Sequence, residues 1–224
     1  MAADAEGNPL RPEHFKRYDE SPDPEFYAQP RLVTHIDDAA IAAAGAFYAR
    51  VLPAGGKVLD LMTSWVSHLP DASRYTGVAG LGMNAEELTA NPQLTEWVVH
   101  DLNANPVLPW ADGEFAGAIV TVSVQYLTRP GEVFREVGRV LREGAPFVVT
   151  YSNRCFPTKA VAAWQMLDDQ GHAELIGLYF RMSGAFGPVT AYNLSPNPGR
   201  SDPLYAVVAH AAKAPAGNEE AAEG

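Results

Sequence analysis

The chain has 224 residues, 47% of them hydrophobic, which supports one domain with a sizeable core and excludes a disordered chain. Asp and Glu number 27 against 16 Lys and Arg, for a net charge of −11; this repels phosphate backbones and anionic membrane surfaces, so neither nucleic acid nor a membrane is expected as a partner. The single cysteine, Cys155, excludes an internal disulfide and a cysteine-based zinc site, and no metal is expected.

No uncharged apolar run approaches the ~20 residues of a membrane helix. The opening Ala2-Ala3-Asp4-Ala5-Glu6 lacks the basic and apolar regions of a signal peptide. A cytoplasmic monomer or homodimer is the expectation.

Residues 1–25, rich in Pro, Gly and charge, read as an irregular arm. The more apolar stretch Phe26–Leu32 is expected to lie on the domain surface. Asp37 and Asp38 then precede an Ala-rich helix from Ala39 to Leu52, which Pro53, Gly55 and Gly56 end. Lys57–Leu61 reads as a buried strand and Arg74–Gly82 as a second. Ala85–Ala90 is a short helix stopped by Asn91-Pro92, and Trp97–Asp101 a third strand. Phe115–Val122, apolar throughout, is expected at the sheet centre. Pro130–Arg142 has helical spacing, and Pro146–Tyr151 is a fifth strand. Thr158–Met182 is read as helical with a break near Gly171. Pro188–Leu194 and Leu204–Ala211 are two late strands. Strands alternating with helices imply an α/β domain with a mostly parallel, seven-stranded sheet and an antiparallel addition at one edge. The organisation is therefore an arm or cap over 1–36, one Rossmann-like domain over 37–213, and an acidic, disordered tail over 214–224.

Asp112-Gly113-Glu114-Phe115, the following strand, Gln125-Tyr126-Leu127, and the helix ending Arg139-Val140-Leu141-Arg142-Glu143-Gly144 occur in one register. With the earlier strands, residues 50–152 resemble the class I S-adenosylmethionine-dependent methyltransferases that act on small molecules. The segments Leu59-Asp60-Leu61-Met62 and Gly82-Met83-Asn84-Ala85 are similar to a divergent subgroup of them. The resemblance implies S-adenosylmethionine as cofactor and methyl transfer to an oxygen, nitrogen or sulfur of a small-molecule acceptor.

It also implies roles. Asp60 ends the first strand and opens the cofactor loop; Asp101 accepts from the adenine amino group, with Leu102 offering its backbone N–H. Alternatively, Asp60 caps a neighbouring turn and Asp101 forms one. The family's loop glycines are replaced by Met62, Ser64 and Val66, and its ribose-binding acid by Gly82. The loop Met62–Trp65, with Thr63 and Ser64, is expected to meet the methionine end by a different path. Met83 and Asn84 are expected beside Gly82 on the ribose side, Asn84 as a substitute acceptor; a plain turn is the alternative. Trp65 lines the active site or plugs the core. Ser123, Gln125 and Tyr126 are expected to face the transferring methyl; Asn153 and Arg154 are substrate-side candidates. His68 faces solvent or takes part in catalysis. From the arm, Tyr27, Arg31 and His35 are expected at the cleft mouth. Arg31 is a two-pronged carboxylate binder and His35 a general base, both on one face of a helical turn; alternatively the arm only packs on the surface, with Arg31 paired to a local acid. A non-catalytic binding or scaffold protein and an enzyme of non-methyl chemistry are the rival readings.

Overall fold

The computed structural model describes residues 10–212; the tail over 214–224 and the first nine residues lie outside them. Seven strands form one sheet: β1 (Lys57–Leu61), β2 (Gly77–Gly82), β3 (Glu96–Val99), β4 (Gly117–Thr121), β5 (Pro146–Tyr151), β6 (Thr190–Asn193) and β7 (Tyr205–His210). Their order is β3-β2-β1-β4-β5-β7-β6. The first five run parallel; β7 alone is reversed, pairing antiparallel with both β5 and β6. The reversed strand thus lies one place in from the edge, and the short, exposed β6 takes the edge itself.

The helices are α1 (Asp23–Phe26), α2 (Asp38–Val51), α3 (Ala85–Ala90), α4 (Pro130–Val140), α5 (Ala162–Gln165) and α6 (Asp169–Ser183). Asp37 caps α2 by accepting from the Ala40 N–H at 2.9 Å. The Tyr48 hydroxyl fastens α2 to the sheet, 2.7 Å from Thr121 Oγ1 and 2.8 Å from Thr150 Oγ1. The break expected near Gly171 falls earlier, between α5 and α6. Asp168 accepts from the Gly171 N–H and starts a new helix there.

Five strands are shorter than the runs expected for them, β6 and β7 by one or two residues at each end. Arg74 ends a 3-10 turn, Ala72–Arg74, and Tyr75 N–H closes it onto Ala72 O. Asp101 lies beyond β3, and Val122 leaves β4 with φ of 47°. The main departure from alternation is between β1 and β2. Residues 62–71 form no helix, and only the 3-10 turn Ala72–Arg74 stands between β1 and β2 in place of an α-helix. The chain order switches between β1 and β4, which opens a crevice at the carboxyl ends of these strands.

Candidate active site

Over that crevice lies a cavity of about 440 Å³, within the range of about 300–1,000 Å³ usual for small-molecule sites. It extends across the carboxyl ends of all five parallel strands, from Asp101 after β3 to Phe156 after β5.

The loop after β1 shapes its floor. Met62 sits at φ 54° and His68 at φ 54°; with Val122 they are the only non-glycine residues at positive φ among those described, and all three line the cavity. Such geometry costs on the order of 1–3 kcal/mol per residue and concentrates at functional sites. Met62 thus adopts, at that cost, the backbone region a glycine takes freely. Thr63 N–H then bonds to Leu81 O at 2.8 Å, which lays the loop across the end of β2. A Cβ on Gly82 would stand 2.3 Å from the Thr63 carbonyl oxygen. The space that an acidic side chain at position 82 would need is filled by loop backbone. Gly82→Ala is expected to push the loop off β2, to lose about 1–3 kcal/mol of stability, and to weaken ligand binding in parallel. Thermal denaturation and ligand titration of the variant check this, and wild-type values in both would refute it.

Four buried side-chain atoms without a hydrogen-bond partner belong to residues lining this one cavity: Arg31 Nη1, Asp60 Oδ2, His68 Nδ1 and Ser123 Oγ. An unmet buried polar atom costs about 1–3 kcal/mol, so such a group in one cavity marks where a polar ligand would repay it. Burial pushes the Asp60 pKa up to about 7, only partly opposed by the Thr63 and Ser67 hydroxyls. Burial, and then the neighbouring His35, bring His68 down to about 4, so it is neutral at pH 7. Desolvation lowers His35 as well, with Glu87 opposing and Arg31 assisting.

The arm forms the cavity's outer wall. Its anchor is a buried ion cluster. Arg17 Nη1 donates to both carboxylate oxygens of Asp23, at 2.7 and 2.8 Å. Lys159, fully buried, lies 3.2 Å from the same carboxylate and donates to Ser21 O at 2.6 Å. Asn103 Nδ2 donates to Asp23 at 2.8 Å. Farther along, Arg31 N–H donates to Glu87 Oε1 at 2.6 Å, and Ser64 Oγ donates to Glu87 Oε2 at 2.6 Å. Trp65 Nε1 donates to Val33 O at 3.0 Å. Glu87 and Trp65 therefore clasp arm and loop together.

The residues expected from the sequence divide clearly. Tyr27, Arg31, His35, Asp60, Met62, Thr63, Ser64, Trp65, Gly82, Met83, Asp101, Leu102, Ser123, Tyr126 and Arg154 all line the cavity. Arg31 and His35 reach it along an irregular stretch, not on one face of a helical turn, because residues 30–37 form no helix. Asp101 forms a turn as well, its Oδ1 accepting from the Asn103 and Ala104 N–H groups. The Tyr126 hydroxyl accepts from Phe156 N–H at 2.8 Å, and burial lifts its pKa to about 12.

Three expectations are corrected. Asn84 is not a cavity residue. Its Oδ1 caps α3 through Glu86 and Glu87 N–H, and its Nδ2 holds the Tyr27 and Ala28 carbonyls. Gln125 turns inward and donates to Val122 O, so it does not reach the cavity. Asn153 lies on an exposed neighbouring groove. Arg154 stands at the rim, 60% exposed and paired with Asp202 at 2.9 Å. His68, by contrast, is buried against the cavity. Glu87 and Asp23 escaped the sequence reading, because a first-turn helix acid and an acid in a charged arm read as solvated.

No protein-family model matches the sequence, and no curated protein matches it. Solved structures match its fold. The crystal structure of the 4+2 cyclase SpnF superposes with a TM-score of 0.60 at 15% identity, covering 86% of this chain and 92% of that one. A S-adenosylmethionine-dependent methyltransferase from Thermotoga maritima gives 0.58 at 13% identity, covering 78% and 89%. The complex of the Haloferax volcanii Trm112 methyltransferase activator with a methyltransferase gives 0.55 at 16%, covering 79% and 92%. At these identities the likeness is one of fold: the chain has the class I S-adenosylmethionine-dependent methyltransferase fold.

Proposed function

We propose that the chain is an S-adenosylmethionine-dependent methyltransferase acting on an oxygen, nitrogen or sulfur of a small-molecule acceptor. The observation that carries this reading is the set of unmet polar atoms gathered in one cavity at the switch point of a methyltransferase fold. The residues present fit the cofactor. Asp101 and the Leu102 N–H hold the adenine end, and the Gly82–Met83 turn faces the ribose. Asp60, Thr63, Ser64 and Ser123 supply polar groups for the methionine end. When bound, S-adenosylmethionine supplies an electrophilic methyl carbon. The chain's own task is to align the acceptor and exclude water. The arm covers the cavity, and His35 at its mouth takes the acceptor's proton, with Tyr126 positioning the acceptor.

The cyclase likeness supports one alternative, non-methyl chemistry in the same cavity. Calorimetry with S-adenosylmethionine and S-adenosylhomocysteine is the first test, with micromolar affinity expected, about −8 kcal/mol. Absence of binding would overturn the reading, while binding without transfer to any acceptor would favour the alternative. Asp101→Asn is the sharper variant, since its side-chain oxygen still receives the turn's two N–H groups. It replaces an acceptor by a donor toward the adenine amine, and a loss of about 1.5–3 kcal/mol in affinity is expected. Unchanged affinity would remove the adenine assignment.

A further inference from the structure

The two ends of the cavity differ in chemistry. Below β1, β2 and β3 its wall is polar, with Asp60, Thr63 and Asp101. At the β4–β5 end it is aromatic. Tyr27, Tyr126 and Phe156 line it, Tyr126 stacking on Phe156 at 5.9 Å, while Phe26 packs behind them, edge to face with Phe156 at 5.5 Å and with Tyr27 at 5.0 Å. Arg31 is spread over this wall, its guanidinium carbon 4.6 Å from the Phe26 ring centre and 5.3 Å from that of Phe156.

One arm of the guanidinium is satisfied, Nη2 donating to Phe26 O at 2.9 Å. The other, Nη1, is buried without a partner. Among the described residues Arg31 forms no ion pair, whereas Arg154 at the rim is paired with Asp202. Glu87, the acid that touches Arg31, is taken up by the Arg31 main-chain N–H and the Ser64 hydroxyl. A sheltered cation with an unused N–H group and no ion-pair partner for its guanidinium among the described residues calls for an anion, and a guanidinium matches a carboxylate.

We propose that Arg31 binds the carboxylate of the methyl acceptor, and that the acceptor is a flat, ring-bearing carboxylic acid lying against Tyr27, Tyr126 and Phe156. The inference rests on reading the cavity as a methyltransferase site. Phe156 follows β5, so this end lies across the switch point from Asp101, where the adenine is placed. His35 shares the same wall, its ring 5.3 Å from Phe156, within the region an acceptor's reactive X–H group would occupy.

The test is titration of the full chain, saturated with S-adenosylhomocysteine, with benzoate and with its neutral counterpart benzyl alcohol. Benzoate is expected to bind at least tenfold more tightly than benzyl alcohol. Arg31→Gln should remove that preference, and Arg31→Lys should keep part of it. Equal binding of the two probes to the wild-type chain would overturn the proposal without recourse to any variant. So would competition between benzoate and S-adenosylhomocysteine with Arg31→Gln weakening the latter, since the cofactor's own carboxylate would then fill the site. If the wild-type chain fails to bind S-adenosylhomocysteine, the methyltransferase reading falls. The benzoate preference of the free chain then still decides whether Arg31 is a carboxylate site.

Discussion

Asp60→Asn is expected to abolish binding of S-adenosylmethionine while making the empty chain more stable at pH 8. Asp60 is 1% exposed, with one carboxylate oxygen unpartnered and no cation beside it. A rise from the ordinary 3.8 to about 7 corresponds to roughly 4 kcal/mol between its neutral and ionised forms. The sign follows from linkage. The unfolded chain gives up this proton near pH 4, but the folded chain holds it to about pH 7. The stability associated with the protonated form is full below pH 4 and is lost as pH rises through 7. The wild-type chain should therefore melt lower at pH 8 than at pH 5.5, and the asparagine variant should show a flatter profile. One kcal/mol moves the melting temperature of a chain this size by about 2–4 °C.

The same ionisation should serve binding. A cationic ligand beside Asp60 favours the carboxylate, so wild-type affinity for S-adenosylmethionine should rise between pH 6 and 8. The asparagine variant should have no such rise. Melting curves at both pH values and calorimetry across the range read both effects. A variant that binds like wild type would show that Asp60 is a structural acid with no part in the site.

The second large effect concerns the arm. Asp23→Ala is expected to cost about 3–5 kcal/mol, because it leaves the buried cations Arg17 and Lys159 facing one another without their shared carboxylate. Burial alone would raise the Asp23 pKa, but Arg17, Asn103 and Lys159 outweigh that and hold it below the ordinary value. The cluster's stability is therefore present at neutral pH and is lost in acid as the carboxyl protonates. Lys159→Met in the Asp23→Ala background should recover part of the loss by removing a buried charge left with only Asp19, at 3.5 Å, as its counter-charge. Urea denaturation of the two variants gives both numbers. Equal stability of Asp23→Ala and wild type would mean the cluster is not what holds the arm. The same network makes deletion of residues 1–36 destabilising. That deletion would strip Asp19, Ser21 and Asp23 from Lys159, which is fully buried, and unfold the neighbourhood of the cavity.

The sequence by itself determined the sheet and its order of elements. β1 and β5 are short apolar runs buried on both faces, and such runs between helical periods have few other homes. It also placed Asp60 near the end of the first strand, whereas β3 stops at Val99 and Asp101 falls in the turn beyond it. Only the tertiary structure decided which side chains near those ends look into the cavity. Gln125 and Tyr126 are adjacent in a short 3-10 turn, yet one bonds inward to Val122 O and the other faces the ligand space. Asn84 reads as a ribose ligand, but the arm returning across α3 supplies two carbonyls that occupy its amide. Gly82 reads as a missing acid, but the Thr63 carbonyl lies against it, so no side chain fits. The Asn84 and Gly82 outcomes depend on contacts with segments 57 and 19 residues away. Local propensity and periodicity carry no information about such contacts, because they report a residue's fit to its own element and not what another element brings against it.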